Sequence, residues 1–333
     1  MFKYHVFALL LGTILEYIFG HIYSMFNPFD SMKRWIEFLD RALLGDEIIL
    51  LEPSKQKSLG LWFVFLSIMP ALAFVTFFTM LCYEISPFIG VVFEAILSYL
   101  CIEGNRLYYG GREVMSAFYG GGVPAMKYAA ITFTGKTYVG NNEAEITKTT
   151  ITYIANETSD ALLSPLFVMF LFGPVGGFLY RTIDLMDAQV GYKDSRYRYF
   201  GFFTARLNSI VDFIPGRFGG ALTVFAARHT FGDFDGKNAS FIHLRDKNKA
   251  ISAFAGAIGM ALSNGVIGED DKEALAKDIR TATKLMRNDF LLIQAILLFL
   301  LIFFAHMYHS AKNLFLYRNY FRLFLILIKL VIY

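Results

Sequence analysis

The chain has 333 residues, of which 56% are hydrophobic and only 18% charged, with 36 Phe and 19 Tyr, and its mean hydropathy is +0.47. That composition excludes an ordinary soluble domain, and a net charge of +3 gives no electrostatic footing for nucleic-acid binding. Cys82 and Cys101 lie in apolar runs and read as small buried hydrophobes, not as a disulfide or a metal pair.

The expected fold is all-α: one polytopic integral membrane domain over residues 1–333, with about 4–6 membrane segments and cytoplasmic helical segments at 103–160 and 228–289. The candidate segments, in chain order, are Tyr4–Phe26, Leu59–Cys82, Pro87–Ile102, Ala161–Tyr180, Phe290–Tyr308 and Leu314–Tyr333. The first has no small-residue cleavage site and reads as a retained span. The last carries Arg318, Arg322 and Lys329, which suits either a span or a helix lying along the interface. Lys33, Arg34, Arg41, Lys55 and Lys57 between the first two segments put that loop in the cytoplasm, and Arg106, Arg112, Lys127, Lys136 and Lys148 return the segment 103–160 to the same side. The lipid bilayer of the cell membrane is thus the first partner.

The fourth segment is interrupted by Gly173-Pro174-Val175-Gly176-Gly177, a strong helix breaker. Irregular backbone at membrane depth is tolerated where protein or a cavity satisfies it. A broken or re-entrant hairpin is therefore expected, with Asp160 and Arg181 brought to one face. Ala130–Thr137 looks like a relaxed phosphate loop but lacks the helix that must follow, and Gly120-Gly121-Gly122 before Pro124 reads as a turn. Ala250–Leu262 offers a small-residue packing face through Ala253, Ala257 and Ala261. Glu269–Asn288 reads as an amphipathic helix, with acids at its start, Lys284 and Arg287 at its end, and Leu275, Ile279, Ala282 and Met286 on one stripe.

Functional density concentrates in Asn156–Gly220. Here Asp160, Asp184, Asp187, Asp194 and Asp212 alternate with Arg181, Lys193, Arg196, Arg198, Arg206 and Arg217. Carboxylates without nearby His or Cys suit a hard cation such as Mg²⁺, and arginines suit phosphate or carboxylate groups. The bland alternative is a paired ion network that packs interfacial helices.

The same stretch resembles the adenosylcobinamide-phosphate synthase (CobD/CbiB) family. The resemblance is carried by Thr158-Ser159-Asp160, Pro165-Leu166, Tyr180, Asp187, Val190-Gly191-Tyr192, Tyr197, Phe200-Gly201, Ala205, Leu207, Ile214-Pro215 and Arg217. Further on it is carried by Phe234-Asp235-Gly236-Lys237-Asn238-Ala239, Arg245-Asp246 and Ala255–Gly259. It implies a membrane-embedded, ATP- and Mg²⁺-dependent ligase that joins an aminopropanol phosphate to a corrinoid carboxylate, with its site facing the cytoplasm. By that resemblance Asp160, Asp187 and Glu157 are the catalytic candidates, and Asp160 and Asp187 the metal ligands. Arg181, Tyr192, Arg196, Arg206, Arg217, Lys237, Asn238, Arg245, Asp246 and Lys136 are the substrate-binding candidates. Further partners would be a second copy of the chain or other membrane proteins of the same pathway.

Several polar positions of the family pattern are altered. Gly135-Lys136-Thr137-Tyr138 stands where the family has an acid after Gly-Arg, Asn208 and Ser209 stand where it has two acids, and its Glu-Asn pair is transposed to Asn156-Glu157. This pattern also fits a catalytically altered or non-catalytic relative with a regulatory or ligand-sensing role, and is more distantly similar to AmpE-type membrane proteins.

Overall fold

The computed structural model describes residues 2–20, 27–45, 52–191, 196–235, 237–239, 249–263, 265, 267–268 and 272–311. It is built of helices α1 (Phe2–Phe19), α2 (Pro28–Leu44), α3 (Pro53–Ile85), α4 (Pro87–Cys101), α5 (Gly104–Thr134), α6 (Glu143–Glu157), α7 (Ser164–Val190), α8 (Phe202–Val211), α9 (Pro215–His229), α10 (Lys249–Ile258) and α11 (Asp278–Ala311). A π-helical turn, Thr158–Leu163, joins α6 to α7. Among the described residues the only β feature is an isolated bridge between Leu262 and Ile267. The all-α expectation therefore holds.

Among the described residues four helical stretches, Pro53–Ile85, Pro87–Thr134, Glu143–Val190 and Asp278–Phe304, are long and apolar enough to cross a bilayer, the second and third of them interrupted by breaks; α8 and α9, bent by 47°, would add a fifth as one broken span. The chain is thus a multi-pass membrane protein by length and composition. Helix α3 shows why: Trp62, Phe65, Phe74, Phe77 and Met80 are exposed along its outer surface, an arrangement suited to lipid tails and costly in water. Helix α1 is shorter than the expected first segment, because Gly20 at φ 61° ends it. The segment 314–333 lies outside the described residues.

Helices α5 and α7 do not run straight. Each contains one glycine with backbone angles closed to other residues, Gly122 at φ 66°, ψ −160° and Gly173 at φ 74°, ψ −169°. A proline follows within two residues in each case, at Pro124 and Pro174, and cannot restore the helical hydrogen bond. Contacts show that both helices double back. Gly110 and Phe133, at opposite ends of α5, are so close that a Cβ on Gly110 would sit 2.3 Å from the Phe133 ring; a straight helix would hold them roughly 35 Å apart. In α7 a Cβ on Gly177 would meet the Met169 side chain at 2.1 Å. The hairpin expected around Gly173 is therefore present, and Gly120–Gly122 forms a second one.

One further expectation is corrected, and the doubt about the phosphate loop is borne out. The helix placed at Glu269–Asn288 begins at Asp278 and runs on unbroken to Ala311. Its start is set by the Asp278 carboxylate, which accepts the Leu275 amide at 2.9 Å, and by Glu143, which accepts the Ala276 amide at 2.7 Å. Lys284 and Arg287 consequently lie in the first turns of a long helix and not at its end, and the segment is the polar start of a membrane helix. The stripe Ile279, Ala282 and Met286 is buried as expected. The apparent phosphate loop is a helix end: Gly135 at φ 67°, ψ 5° caps α5 with a bond to the Ile131 carbonyl.

The main core packs Leu9, Leu107, Ile154, Leu163, Met169, Ile279 and Phe290 from different helices around the two hairpins. A second core of Ile36, Phe63, Ile183, Met186 and Phe200 fastens α2 and α3 to the returning arm of α7.

Candidate functional site

The site forms where the first turn of α5, the π-helical turn, the returning arm of α7 and the corner between α8 and α9 meet. The π turn is fixed by an i→i+5 bond from the Ser164 amide to the Ser159 carbonyl, a widened geometry that recurs at functional sites. It carries Asp160, whose Oδ2 accepts from Asn156 at 2.9 Å. The turn is tied to α5 by the Glu103 amide, which donates to the Ala161 carbonyl at 3.1 Å.

Arg181 is the hub. Its guanidinium donates to Glu103 at 2.5 Å and to Asp184 at 2.8 Å, and it lies 5.9 Å from the Phe29 ring centre. Glu103 also pairs with Arg106. Arg106 in turn reaches the Tyr153 hydroxyl at 3.1 Å and the Glu157 carboxylate at 3.6 Å. Beyond these pairs, Asp160 lies within electrostatic range of Asp212, Asp184 and Glu157. Asp212 accepts from Ser164 at 3.1 Å and from Tyr180 at 2.9 Å, and Asp187 accepts from Asn208 at 2.8 Å.

Six carboxyl side chains thus share the region with two guanidinium groups, an excess of acid that calls for an added cation or for protons. Arg181 keeps only 6% of its side-chain surface, whereas Glu103, Arg106, Glu157 and Asp184 keep 22–27%. The cluster is therefore reachable and not sealed. A cavity of about 360 Å³ between the two arms of α5 has Asn105, Arg106, Tyr109, Tyr128 and Thr132 on its wall.

Among the described residues no three His, Cys, Asp or Glu side chains converge closely enough to cage a metal ion. A Mg²⁺ that arrives with phosphates and keeps its waters needs only one or two carboxylates, and the acid excess around Asp160 fits that mode.

Of the sequence candidates, Glu157, Asp160 and Arg181 are brought together, and Asp187 stands one helical turn beyond Asp184. The others lie elsewhere. Arg196 donates to the Gly45 carbonyl at 3.1 Å, beside Tyr197, whose hydroxyl bonds Asp40 at 2.9 Å; burial and that bond push the Tyr197 phenol above its ordinary pKa. Arg206 is exposed on α8. Arg217 folds onto its own helix start, with the Phe213 carbonyl at 2.7 Å and the Phe213 ring centre at 3.6 Å. Lys237 and Asn238 give their amides to Asp235 in a turn, and Lys136 borders a different cavity of about 590 Å³. Tyr192, Arg245 and Asp246 lie outside the described residues.

Sequence reasoning passed over Glu103, Arg106 and Tyr153 as site residues. The available signal was the placement of Glu103 and Arg106 directly after the apolar run that ends at Ile102.

Comparison with known proteins adds the family. Residues 9–287 match the model of the family described as CobD/Cbib protein. A Listeria monocytogenes protein named cobalamin biosynthesis protein CobD is 30% identical over 75% of this chain and 80% of its own length. A Streptococcus sanguinis protein of the same name is 27% identical over 84% of this chain and 92% of its own. In a Pelobacter propionicus relative, also so named, 32% identity extends over 52% of this chain and 55% of the other. No solved structure matches the chain. With a match running through α1 to the first turns of α11, the chain belongs to the CobD/CbiB family.

Proposed function

We propose that this protein acts in cobalamin biosynthesis as an ATP-dependent ligase, joining an aminopropanol phosphate to a corrinoid carboxylate at the cytoplasmic face of the cell membrane. The observation that carries the reading is the convergence of Glu157, Asp160 and Arg181 at the foot of a re-entrant hairpin, in a chain of this family. The names of the relatives support the pathway, and the basic residues between α1 and α3 support the orientation.

The chemistry asks for little covalent participation by protein. Amide formation of this kind would transfer the terminal phosphoryl group of ATP to the carboxylate of one substrate, releasing ADP; the amine nitrogen of the other would then displace phosphate, which carries off the carboxyl oxygen, and would lose one proton while the amide keeps its N–H. Mg²⁺, when bound with the nucleotide, would neutralise phosphate charge, and Asp160 with Asp187 would hold it. Glu157, paired to Arg106 and partly open, is placed to accept a proton from the amine. Arg181 and Arg106 fix the carboxylates around them and supply positive charge where phosphate negative charge gathers.

Complementation of a synthase-null strain tests the reading, with Asp160→Ala as the control. Growth on the precursor that depends on Asp160 is expected. A well-expressed, membrane-inserted protein that fails to complement would overturn it in favour of a ligand-sensing relative. One observation favours that second reading. Asn208, standing where the family pattern has an acid, donates to Asp187 and so engages a carboxylate otherwise available to a metal.

A further inference from the structure

Lys277, in the turn before α11, and Arg280, Lys284 and Arg287, in its first turns, are spaced three and four residues apart, on the side away from the buried Ile279, Ala282 and Met286. Like charges at that spacing destabilise a helix, so a stripe of four asks for a counter-charge. They face a cavity of about 710 Å³ whose opposite wall includes Arg112 and Tyr108 of α5. The acids lining the cavity are Asp233 and Asp278, and Asp278 is engaged by Lys272 at 2.7 Å and by the Leu275 amide. Among the described residues, Lys277, Arg280 and Lys284 enter no ion pair with an acid.

The two arginines are held in place. Arg287 lies 3.8 Å from the Tyr17 ring centre and 4.6 Å from that of Tyr108, with Asn105 as a further partner. Arg112 stacks 5.4 Å from the same Tyr108 ring and donates to its hydroxyl at 2.8 Å. One tyrosine thus orients two planar guanidinium forks, the groups best matched to phosphate oxygens, while the lysines add mobile point charges. The apolar part of α11 starts just beyond, at Phe290, which sets the cavity at the level where headgroups and solvent meet.

We propose that this cavity binds a phosphate-bearing anion, either a soluble phosphate ester or the phosphate headgroup of an anionic lipid. The inference stands apart from the ligase reading, since none of these residues belongs to the Arg181 cluster.

Two binding measurements on the full-length protein test it, each comparing wild type with the double variant Arg280→Gln/Lys284→Gln. Both side chains are exposed, so an unchanged melting temperature is expected. In detergent, calorimetric titration with pyrophosphate should give saturable binding that the variant weakens at least tenfold and that rising salt weakens as well. In nanodiscs, native mass spectrometry should find phosphatidylglycerol retained over phosphatidylcholine, with retention lost in the variant. A response to pyrophosphate alone assigns a soluble ester, a response to lipid alone assigns a headgroup, and both together support phosphate recognition in general. Arg112→Lys, which keeps the charge and removes the fork, should fall between wild type and double variant. Wild type that binds neither probe, or a double variant that binds as tightly as wild type, overturns the proposal.

Discussion

Ser164 and Tyr180, on opposite arms of α7, donate to the same carboxylate oxygen of Asp212. A straight helix would separate them by about 24 Å, so this shared acceptor both reports the fold-back and latches it. Asp212 comes from the corner between α8 and α9, which ties a third element to the hairpin. Asp212→Ala strands two hydroxyls in a dry environment and should destabilise the protein by about 2–4 kcal/mol. Asp212→Asn keeps an acceptor oxygen and should cost less, while Tyr180→Phe should cost about 1 kcal/mol. Melting in detergent checks the order; an Asp212→Ala protein as stable as wild type would show that the latch is ornamental.

The bend itself rests on Gly173. Its φ of 74° with ψ near −169° is a region that side chains avoid, and only the edge of His5, at 3.9 Å, lies near the added Cβ. The penalty in Gly173→Ala is therefore backbone strain and not collision, about 1–3 kcal/mol. Gly122→Ala, with φ of 66° and comparable open space, should behave alike. Gly120→Ala is the internal control, having open space and no left-handed φ, and should be neutral or slightly stabilising. Equal melting temperatures for all three variants would remove the argument from backbone strain.

Much of this was legible in the chain, and the reasons it stopped are physical. Gly173-Pro174 announces a break because both residues oppose helix locally, and charge density in a hydrophobic chain marks the neighbourhood of Asp160. Gly122 carries the same local chemistry, yet the neighbours that turn its bend into a packed hairpin, Gly110 and Phe133, lie toward opposite ends of α5, each beyond the reach of a turn motif. Glu103 bonds Arg181 across a wide sequence gap that no local pattern encodes. Arg217 and Lys237 illustrate the converse: matching a family motif in sequence does not bring a side chain to the cluster, and these two are taken up by a nearby carbonyl and ring or by a turn.

Arg181 separates structural from catalytic roles in the cluster. Among the described residues it alone bridges Glu103, just before α5, to Asp184 on α7, so Arg181→Gln leaves Asp184 without its cation and Glu103 with Arg106 alone. Removing one partner of a buried pair costs about 3–5 kcal/mol, and loss of folded protein from the membrane is the expected outcome. Arg181→Lys keeps the charge but cannot fork to both acids; it should insert and melt several degrees lower. Membrane yield and melting curves read this directly, and an Arg181→Gln protein with normal yield and stability would contradict the hub role.

Asp160 should behave in the opposite way. It has Asp212, Asp184 and Glu157 in electrostatic range, and its hydrogen-bond partner is the neutral amide of Asn156 rather than a cation. Removing its charge therefore relieves repulsion, and Asp160→Asn, which keeps an acceptor for the Asn156 amide, should melt at or above the wild-type temperature. If Asp160 helps to hold a phosphate-borne Mg²⁺, the same variant should lose activity by on the order of 100-fold or more, and raising Mg²⁺ should restore part of it. Ligation assayed in membranes across a Mg²⁺ series, beside melting in detergent, reads both effects. Loss of activity together with a fall of several degrees in melting temperature would make Asp160 a structural residue. Unchanged activity at every Mg²⁺ concentration would remove it from the site. A stable protein that is inactive at low Mg²⁺ and partly rescued at high Mg²⁺ is the result that the arrangement of these four acids calls for.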